Sequence, residues 1–319
     1  MANANDNNVL PSIFYLTGIP GYEAAHCWIS IPFCLLYLIA IVGNSTILHI
    51  IRTDPNLHEP MYYFLTMLSI TDMGMSLSTL PTVLRIFWFN ANEITFDACV
   101  TQMFFIHSLS LMESAVLLAM AFDRYVAICN PLRYATILTP RRIICAGLVL
   151  LLRSTALLLP LLIHLLWYPF CDSHELSHSF CLQLDMIRLA CADTTFNSLY
   201  GLGLVIFFWG VDSLGIIMSY IFILRSVLGI ASREERLKAL NTCASHICAV
   251  LILYVPMIGL SMVHRFAKHS SPLVHIFMAN IYLLVPPVLN PIIYSVKTKQ
   301  IRRRILQLLE PQRCLSAFK

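Results

Sequence analysis

The 319-residue chain is too apolar and too poor in charge to be a soluble globular protein. Hydrophobic residues make up 58% of it and charged residues only 12%, whereas a typical soluble domain is about 25% charged. Several runs reach the ~20 apolar residues that a helix needs to cross a bilayer. We therefore predict an all-α membrane protein, and we interpret the net charge of +4 as topology and lipid contact rather than nucleic-acid binding.

Seven membrane-spanning helices are predicted along the chain. Residues 1–27 form an outer tail, residues 28–295 a seven-transmembrane helix bundle, and residues 296–319 a cytoplasmic segment. The approximate bounds of the spans are 28–51, 60–88, 98–129, 141–166, 195–228, 237–264 and 272–295. No lysine or arginine precedes Arg52, and most of them fall in loops on one side. The positive-inside rule therefore predicts an extracellular N-terminus and a multi-pass protein of the plasma membrane.

The segment after the seventh span predicts a short amphipathic eighth helix. From Lys297 to Leu309, basic and apolar residues alternate at helical spacing. A helix of this kind lies on the inner leaflet, where its basic face contacts anionic lipid. We therefore expect membrane lipid to be one of the partners of this chain.

Four cysteines are predicted to lie on the outer side. Cys99 is at the outer end of the third span, and Cys171, Cys181 and Cys191 lie in the longest outer segment. In an oxidising compartment four such cysteines suggest two disulfides. Three pairings are possible, and their spacing does not choose among them.

Ionisable residues inside the spans are costly and are usually kept for a function. Asp72 and Glu113 are expected at similar depth, and two carboxylates in a dry site cannot both ionise without a cation or a shared proton. Asp123 and Arg124 close the third span beside a basic loop, which indicates a latch at the membrane face. Arg153, deep in the fourth span, requires a partner across the bundle.

Several motifs together resemble those of the rhodopsin-like G-protein-coupled receptors. Asp123-Arg124-Tyr125 ends the third span, and Asn290-Pro291-Ile292-Ile293-Tyr294 ends the seventh. Four longer stretches are similar to the olfactory receptors: Leu57–Leu65, Met120–Cys129, Lys238–His246 and Pro286–Tyr294. Gly18–Gly21, the Tyr62-Tyr63 pair and Phe122 narrow the resemblance to the class I, fish-like branch, close to family 51.

This resemblance implies disulfides from Cys99 to Cys181 and from Cys171 to Cys191. It also implies signalling through a stimulatory or olfactory heterotrimeric G protein to adenylyl cyclase, which raises cAMP. Arg124 is then expected to pair with Asp123 at rest and to face the G protein when active. The residues assigned to coupling are Asp123, Arg124, Tyr125, Tyr220, Asn290 and Tyr294. Interfacial packing is the alternative interpretation of Tyr220.

A ligand site is expected in the outer half of the bundle. His107 lies about 25 Å above Arg124 on the third helix, at the depth where such receptors hold their ligands. Arg265 ends the sixth span as a bidentate donor for a carboxylate, and class I receptors are associated with carboxylic acids. Ser261, one turn further in, faces the same space. The predicted site is completed by Gln183 at its polar end and by Leu158, Gly201 and Val205 at its apolar end.

Each polar member of this site also has a plainer interpretation. Arg265 could simply extend its guanidinium to lipid phosphates. His107 could be a core histidine that hydrogen-bonds to a neighbouring helix, and Gln183 could be an ordinary polar residue of the loop. For Asp72 and Glu113 a sodium ion is the hypothesis consistent with the family, and a shared proton is the alternative. No other cofactor is expected.

The function predicted is that of a receptor rather than an enzyme, an opsin or a transporter. The chain lacks a Ser-His-Asp order, a phosphate loop and a His-Glu-x-x-His helix, the seventh span has no lysine for retinal, and no inverted repeat is visible. We predict an odorant receptor for a small carboxylate-bearing or polar-headed volatile. The alternatives are a metabolite sensor outside the nose and a poorly trafficked, non-signalling relative. The second stays open because the outer tail has no Asn-x-Ser/Thr triplet.

Overall fold

The structure is a computed structural model that describes residues 13–22, 25–170, 174–266 and 271–309. The side chains of residues 242, 264–266, 272 and 309 fall outside that description. Within it, the chain is a bundle of seven long helices, and a shorter helix follows the seventh. This confirms the predicted all-α membrane fold and its amphipathic eighth helix.

The helices follow the predicted spans closely. They are α1 (His26–Thr53), α2 (Pro60–Phe89), α3 (Phe96–Cys129), α4 (Pro140–Leu165), α5 (Thr195–Leu228), α6 (Arg233–Phe266), α7 (Pro272–Lys297) and α8 (Lys299–Leu309). Six of the seven long helices are long and apolar enough to cross a membrane by composition alone. The seventh, α2, packs against α1, α3 and α7 in the same bundle.

Local sequence explains where these helices begin and end. Pro60 and Pro140 stand in first turns, where the missing N–H leaves no hydrogen bond unmade. Thr139 caps α4, since its hydroxyl accepts from the Arg142 N–H at 3.4 Å. At the other end of α2, Asn90 adopts a left-handed conformation with a φ of 50°, which stops the helix.

A π-helical segment, Val205–Trp209, interrupts α5 in its outer half. Such a segment widens the helix by one residue per turn and is frequent at functional sites. It therefore changes the direction in which the flanking side chains of α5 point into the bundle.

The outer surface carries a small three-stranded sheet. Its central strand, β1 (Ile13–Leu16), pairs antiparallel with β2 (Glu93–Thr95) and parallel with β3 (Glu175–Leu176). Phe14 and Leu16 on β1 are buried. The outer tail, for which no strand was predicted, thus supplies the strand that joins the first and second outer loops.

A disulfide attaches the second outer loop to the bundle. The predicted Cys99–Cys181 bond is present and ties the loop to the outer end of α3. Cys191 is also disulfide-bonded, and Cys171, the partner expected from the resemblance, lies outside the described residues. The backbone N–H of Cys181 also donates to Gln102 Oε1 at 2.8 Å, so the loop is fixed directly above α3.

Candidate functional site

A cavity of about 140 Å³ lies in the outer half of the bundle, beneath the second outer loop. Six of the seven predicted ligand-binding residues line it: His107, Leu158, Gln183, Gly201, Val205 and Ser261. The seventh, Arg265, lies one helical turn beyond Ser261 on α6, and its side chain is outside the described residues. The other lining residues are Ser110, Leu111, Leu161, Leu182, Leu184, Asn197, Ser198, Leu204, Trp209, Met257, Leu260 and Tyr282.

The polar side chains of the cavity keep unused hydrogen-bonding capacity. Nε2 of His107 and Nε2 of Gln183 are buried, and neither has a hydrogen-bond partner among the described residues. Asn197, a further polar side chain of the lining, is fully buried. Buried polar groups without partners are costly, so a cavity of this kind favours a ligand with polar atoms of its own.

The roof of the cavity is a short stretch of the second outer loop. Leu182, Gln183 and Leu184 face the cavity, and they directly follow the disulfide-bonded Cys181. The buried His178 and Asp185 side chains contact each other through Nδ1 and Oδ2 on either side of this stretch. The disulfide and this contact together hold the roof in one position.

The floor of the cavity is closed by a hydrogen bond between helices. The Tyr282 hydroxyl on α7 donates to Ser110 Oγ on α3 at 2.6 Å. Trp209, at the end of the π-helical segment, lines the cavity and packs edge-on against Tyr254 of α6, with ring centroids 5.2 Å apart. The cavity floor is therefore in direct contact with α6.

A buried polar network lies immediately below this floor, around Asp212 of α5. Arg153 Nη2 lies 3.4 Å from its Oδ1, and the Ser114 hydroxyl donates to its Oδ2 at 2.8 Å. Ser114 is also 3.0 Å from the Tyr254 hydroxyl. The Arg153 guanidinium stands 4.4 Å above the Phe208 ring. The prediction that Arg153 needs a partner across the bundle is confirmed, and Asp212, which sequence reasoning missed, is that partner.

Asp72 and Glu113 meet at the centre of the bundle through Asn290. The Asn290 amide donates to Asp72 Oδ2 at 3.1 Å and to Glu113 Oε1 at 3.2 Å. Glu113 Oε2 and Asn290 Oδ1 are buried without a hydrogen-bond partner among the described residues. Oxygen atoms are the ligands that hard cations prefer, so this donor set fits a small cation. Sodium and a shared proton both remain hypotheses.

The predicted coupling residues lie on α3, α5 and α7. Arg124 Nη2 lies 3.3 Å from Asp123 Oδ2, and the Tyr134 hydroxyl, in the loop after α3, donates to Asp123 Oδ1 at 2.8 Å. Burial and the nearby Asp123 charge raise the pKa of Tyr134, so the phenol stays a neutral donor. Asp123 therefore contacts both Arg124 and the loop that follows α3.

Tyr220, Tyr125 and Tyr294 do not hydrogen-bond to Arg124 in this structure. The Tyr220 hydroxyl is 2.8 Å from His246 Nδ1, and the Tyr125 ring packs on Phe222 at 5.9 Å. The Tyr294 hydroxyl is buried, with no hydrogen-bond partner among the described residues. The arrangement matches the one expected at rest, while the active-state roles of the three tyrosines stay predictions.

Comparison with known proteins agrees with the predicted resemblance. A family model for the olfactory receptors matches residues 33–312. Human olfactory receptor 51G1 is 59% identical over 304 residues, covering 94% of this chain and 95% of that protein. Human olfactory receptor 51L1 is 58% identical, covering 96% and 97%. Squid rhodopsin shares the fold, with a TM-score of 0.71 at 18% identity over 92% of this chain and 87% of its own. The chain belongs to the olfactory receptor family of G-protein-coupled receptors.

Proposed function

We propose that this olfactory receptor senses a small carboxylate-bearing volatile at the plasma membrane, with its N-terminus outside, and signals through a stimulatory G protein to raise cAMP. The observation that carries the proposal is the cavity beneath the second outer loop. Its lining combines polar groups, among them His107, Gln183 and Ser261, with apolar side chains such as Leu158 and Val205. A small molecule with one polar head and a short apolar body matches that lining.

The size of the cavity limits the ligand. A cavity of about 140 Å³ is close to the 150 Å³ that suffices for benzene in an engineered protein core, which corresponds to about six non-hydrogen atoms. We therefore expect the best ligands to be acids of about three to five carbons, and longer chains to require displacement of the lining.

The carboxylate preference rests on Arg265. Residues four apart lie on the same face of a helix, so Arg265 follows Ser261 toward the outer rim of the cavity. A guanidinium binds a carboxylate through two parallel hydrogen bonds and keeps its charge at any relevant pH. An ester of the same size presents no charge, and it would leave the arginine unpaired.

Signalling would follow from a shift between two states of the bundle. A ligand that touches Trp209 and Tyr282 acts on α5 and α7, and Trp209 contacts Tyr254 of α6. At the cytoplasmic side, Leu132 in the loop after α3 is 98% exposed. It lies two residues before Tyr134, whose hydroxyl donates to Asp123, so this apolar side chain is available to a G protein on that face.

The test is a cAMP assay in cells that express the receptor, with surface staining as a control for delivery. The panel contains linear carboxylic acids of two to ten carbons beside their alcohols and methyl esters. We expect the acids to activate the receptor and the esters to fail. We also expect Arg265→Ala to raise the half-maximal acid concentration at least about tenfold, which is the usual effect of losing a hydrogen bond to a charged group.

The matched control is Arg188→Ala, which removes an exposed arginine of the same outer surface that does not line the cavity. Its half-maximal concentration should be unchanged. An Arg265→Ala receptor that keeps its wild-type sensitivity would refute the anchor. Silence from a wild-type receptor that reaches the surface would refute acid sensing.

The fit of Asp72, Glu113 and Asn290 to a small cation supports sodium as a second ligand of the bundle. Thermal unfolding of the purified receptor should then occur at a higher temperature in sodium chloride than in choline chloride of equal ionic strength. Glu113→Gln should abolish that difference, whereas Glu93→Gln, at an exposed carboxylate of the outer sheet, should keep it. Equal midpoints in both salts for the wild-type receptor would favour the shared proton.

A further inference from the structure

The cytoplasmic surface holds a second concavity, which the proposed receptor function does not use. It has a volume of about 370 Å³ and lies between the cytoplasmic end of α1 and the first turns of α8. We call it the α1–α8 cleft. Its polar lining consists of Asp54, Asn56, Gln300, Arg303, Arg304 and Gln307.

One arginine of the cleft is already neutralised and fixed. Arg304 Nε–H donates to Asp54 Oδ2, and its Nη1–H donates to Gln307 Oε1 at 3.1 Å. Asp54 Oδ1 also accepts from the backbone and side-chain nitrogens of Asn56, at 3.1 and 3.0 Å. The hydrogen bond from Arg304 is the main reason that the pKa of Asp54 falls to about 2. Asp54 is therefore ionised, and both of its carboxylate oxygens already accept hydrogen bonds from the protein.

Three side chains of the cleft keep donors that the protein does not use. Gln300 Oε1 accepts from the Tyr62 hydroxyl, and Gln307 Oε1 accepts from Arg304, so the NH₂ group of each amide is left to donate. Arg303 lines the cleft, and its exposed side chain makes no hydrogen bond or ion pair with the described part of the chain. A cleft with a free guanidinium and spare amide donors is complementary to an anion with several acceptor oxygens.

The position of the cleft places it at the level of lipid headgroups. On α8, Ile301 is fully buried against the bundle, whereas Leu306 and Leu308 are 54% and 58% exposed. An amphipathic helix with exposed leucines lies in the membrane interface, with its apolar side chains at the boundary of the acyl chains. The cytoplasmic leaflet is the one that carries anionic lipids.

We propose that the α1–α8 cleft binds the phosphorylated headgroup of an anionic inner-leaflet lipid, with Arg303 as its principal cation. The phosphate oxygens accept from the Arg303 guanidinium and from the amide groups of Gln300 and Gln307. All three of these side chains lie on α8, so the headgroup is held on the α8 wall of the cleft.

The experiment uses the full receptor in nanodiscs of neutral phosphatidylcholine. A fluorescent, short-chain phosphatidylinositol 4,5-bisphosphate is titrated onto wild-type, Arg303→Gln and Arg302→Gln receptors. Arg302 is the matched control, since it is an exposed arginine on the same turn that does not line the cleft. General attraction to a basic surface predicts the same loss for either change, about fivefold per arginine. A built site predicts a further loss of about tenfold for Arg303→Gln alone.

Competition with unlabelled ligands identifies the source of the phosphate. Displacement by short-chain phosphatidylinositol 4,5-bisphosphate but not by soluble inositol trisphosphate supports a lipid ligand, as proposed. Equal displacement by inositol trisphosphate keeps the phosphate site but overturns the lipid assignment. Equal losses for Arg302→Gln and Arg303→Gln, or binding that does not saturate, overturn the site itself. Thermal unfolding without ligand verifies that both variants are folded.

Discussion

At the scale of single residues, Asp212 connects four helices of the bundle. Its carboxylate on α5 meets Arg153 of α4 and Ser114 of α3, and Ser114 reaches Tyr254 of α6. Removing one partner of a buried ion pair costs more than removing both, because the remaining charge is left alone in a medium that solvates it poorly. The pair is therefore expected to be strongly coupled.

We expect Asp212→Asn to lower the free energy of unfolding by about 1–2 kcal/mol, the upper range for polar contacts between membrane helices. Thermal unfolding of the purified receptor in nanodiscs measures this loss. The double change Asp212→Asn with Arg153→Met should be more stable than the sum of the single changes predicts. Strict additivity of the two losses would show that the ion pair does not stabilise the bundle.

The candidate site was predictable from sequence only where a residue had a distinctive position. His107 was placed by its distance from Arg124 along α3, and Ser261 by its distance from the end of α6. Both residues line the cavity. Asp212 and Asn197 have no such distinctive position. The sequence alone does not say which face of the helix either residue occupies. The face that a residue occupies depends on the rotation of the helix about its own axis, and the π-helical segment of α5 alters that rotation.

At the scale of elements, α8 is attached to the bundle by polar contacts and by the apolar packing of Ile301 and Ile305 against its core. Arg304 pairs with Asp54, Gln300 accepts from the Tyr62 hydroxyl, and Ile301 is buried. The pKa of Asp54 is lowered to about 2, chiefly by the Arg304 hydrogen bond. A carboxyl group whose pKa is lower in the folded than in the unfolded protein stabilises the folded state at any pH above its ordinary pKa. That stabilisation is lost as the pH falls toward 2.

We therefore expect the docking of α8 to be unchanged between pH 7.5 and pH 5, and to be weakened at both pH values by Asp54→Asn. Hydrogen exchange of the α8 amides, corrected for the intrinsic effect of pH, measures this. Exchange should rise roughly threefold in the variant, as for a partly exposed ion pair. Asp97→Asn, at a carboxylate in the first turn of α3 on the outer side, is the control. A wild-type protein that loses α8 protection at pH 5 would contradict the assignment.

The bounds of the helices were predictable, but the strand in the outer tail was not. Six of the seven long helices contain an apolar run that marks a membrane span in the sequence. A strand of four residues carries no comparable signal, since its hydrogen bonds go to segments far away in the chain. Tyr15 pairs with Glu93 and with Glu175, and such distant pairings depend on the completed bundle.

At the scale of the whole molecule, β1 is the element that holds the outer cap together. It is the central strand of the sheet, so β2 and β3 have no direct pairing with each other. Phe14 on β1 packs against Phe96 of α3 and Phe170 of the second outer loop, with ring centroids 6.1 and 5.5 Å away. The loop that β3 enters continues to Leu182 and Gln183, which roof the cavity.

Removal of β1 should therefore disturb ligand binding without touching a single residue of the cavity. Deletion of residues 2–17 takes away the central strand and exposes the apolar surface that Phe14 covers, whereas deletion of residues 2–12 stops short of the strand. We expect the longer deletion to lower surface biotinylation severalfold and to raise the half-maximal concentration of any activating ligand in the receptors that do reach the surface. The shorter deletion should leave both quantities near wild type. Equal behaviour of the two deletions would show that the Cys99–Cys181 bond alone is enough to hold the roof.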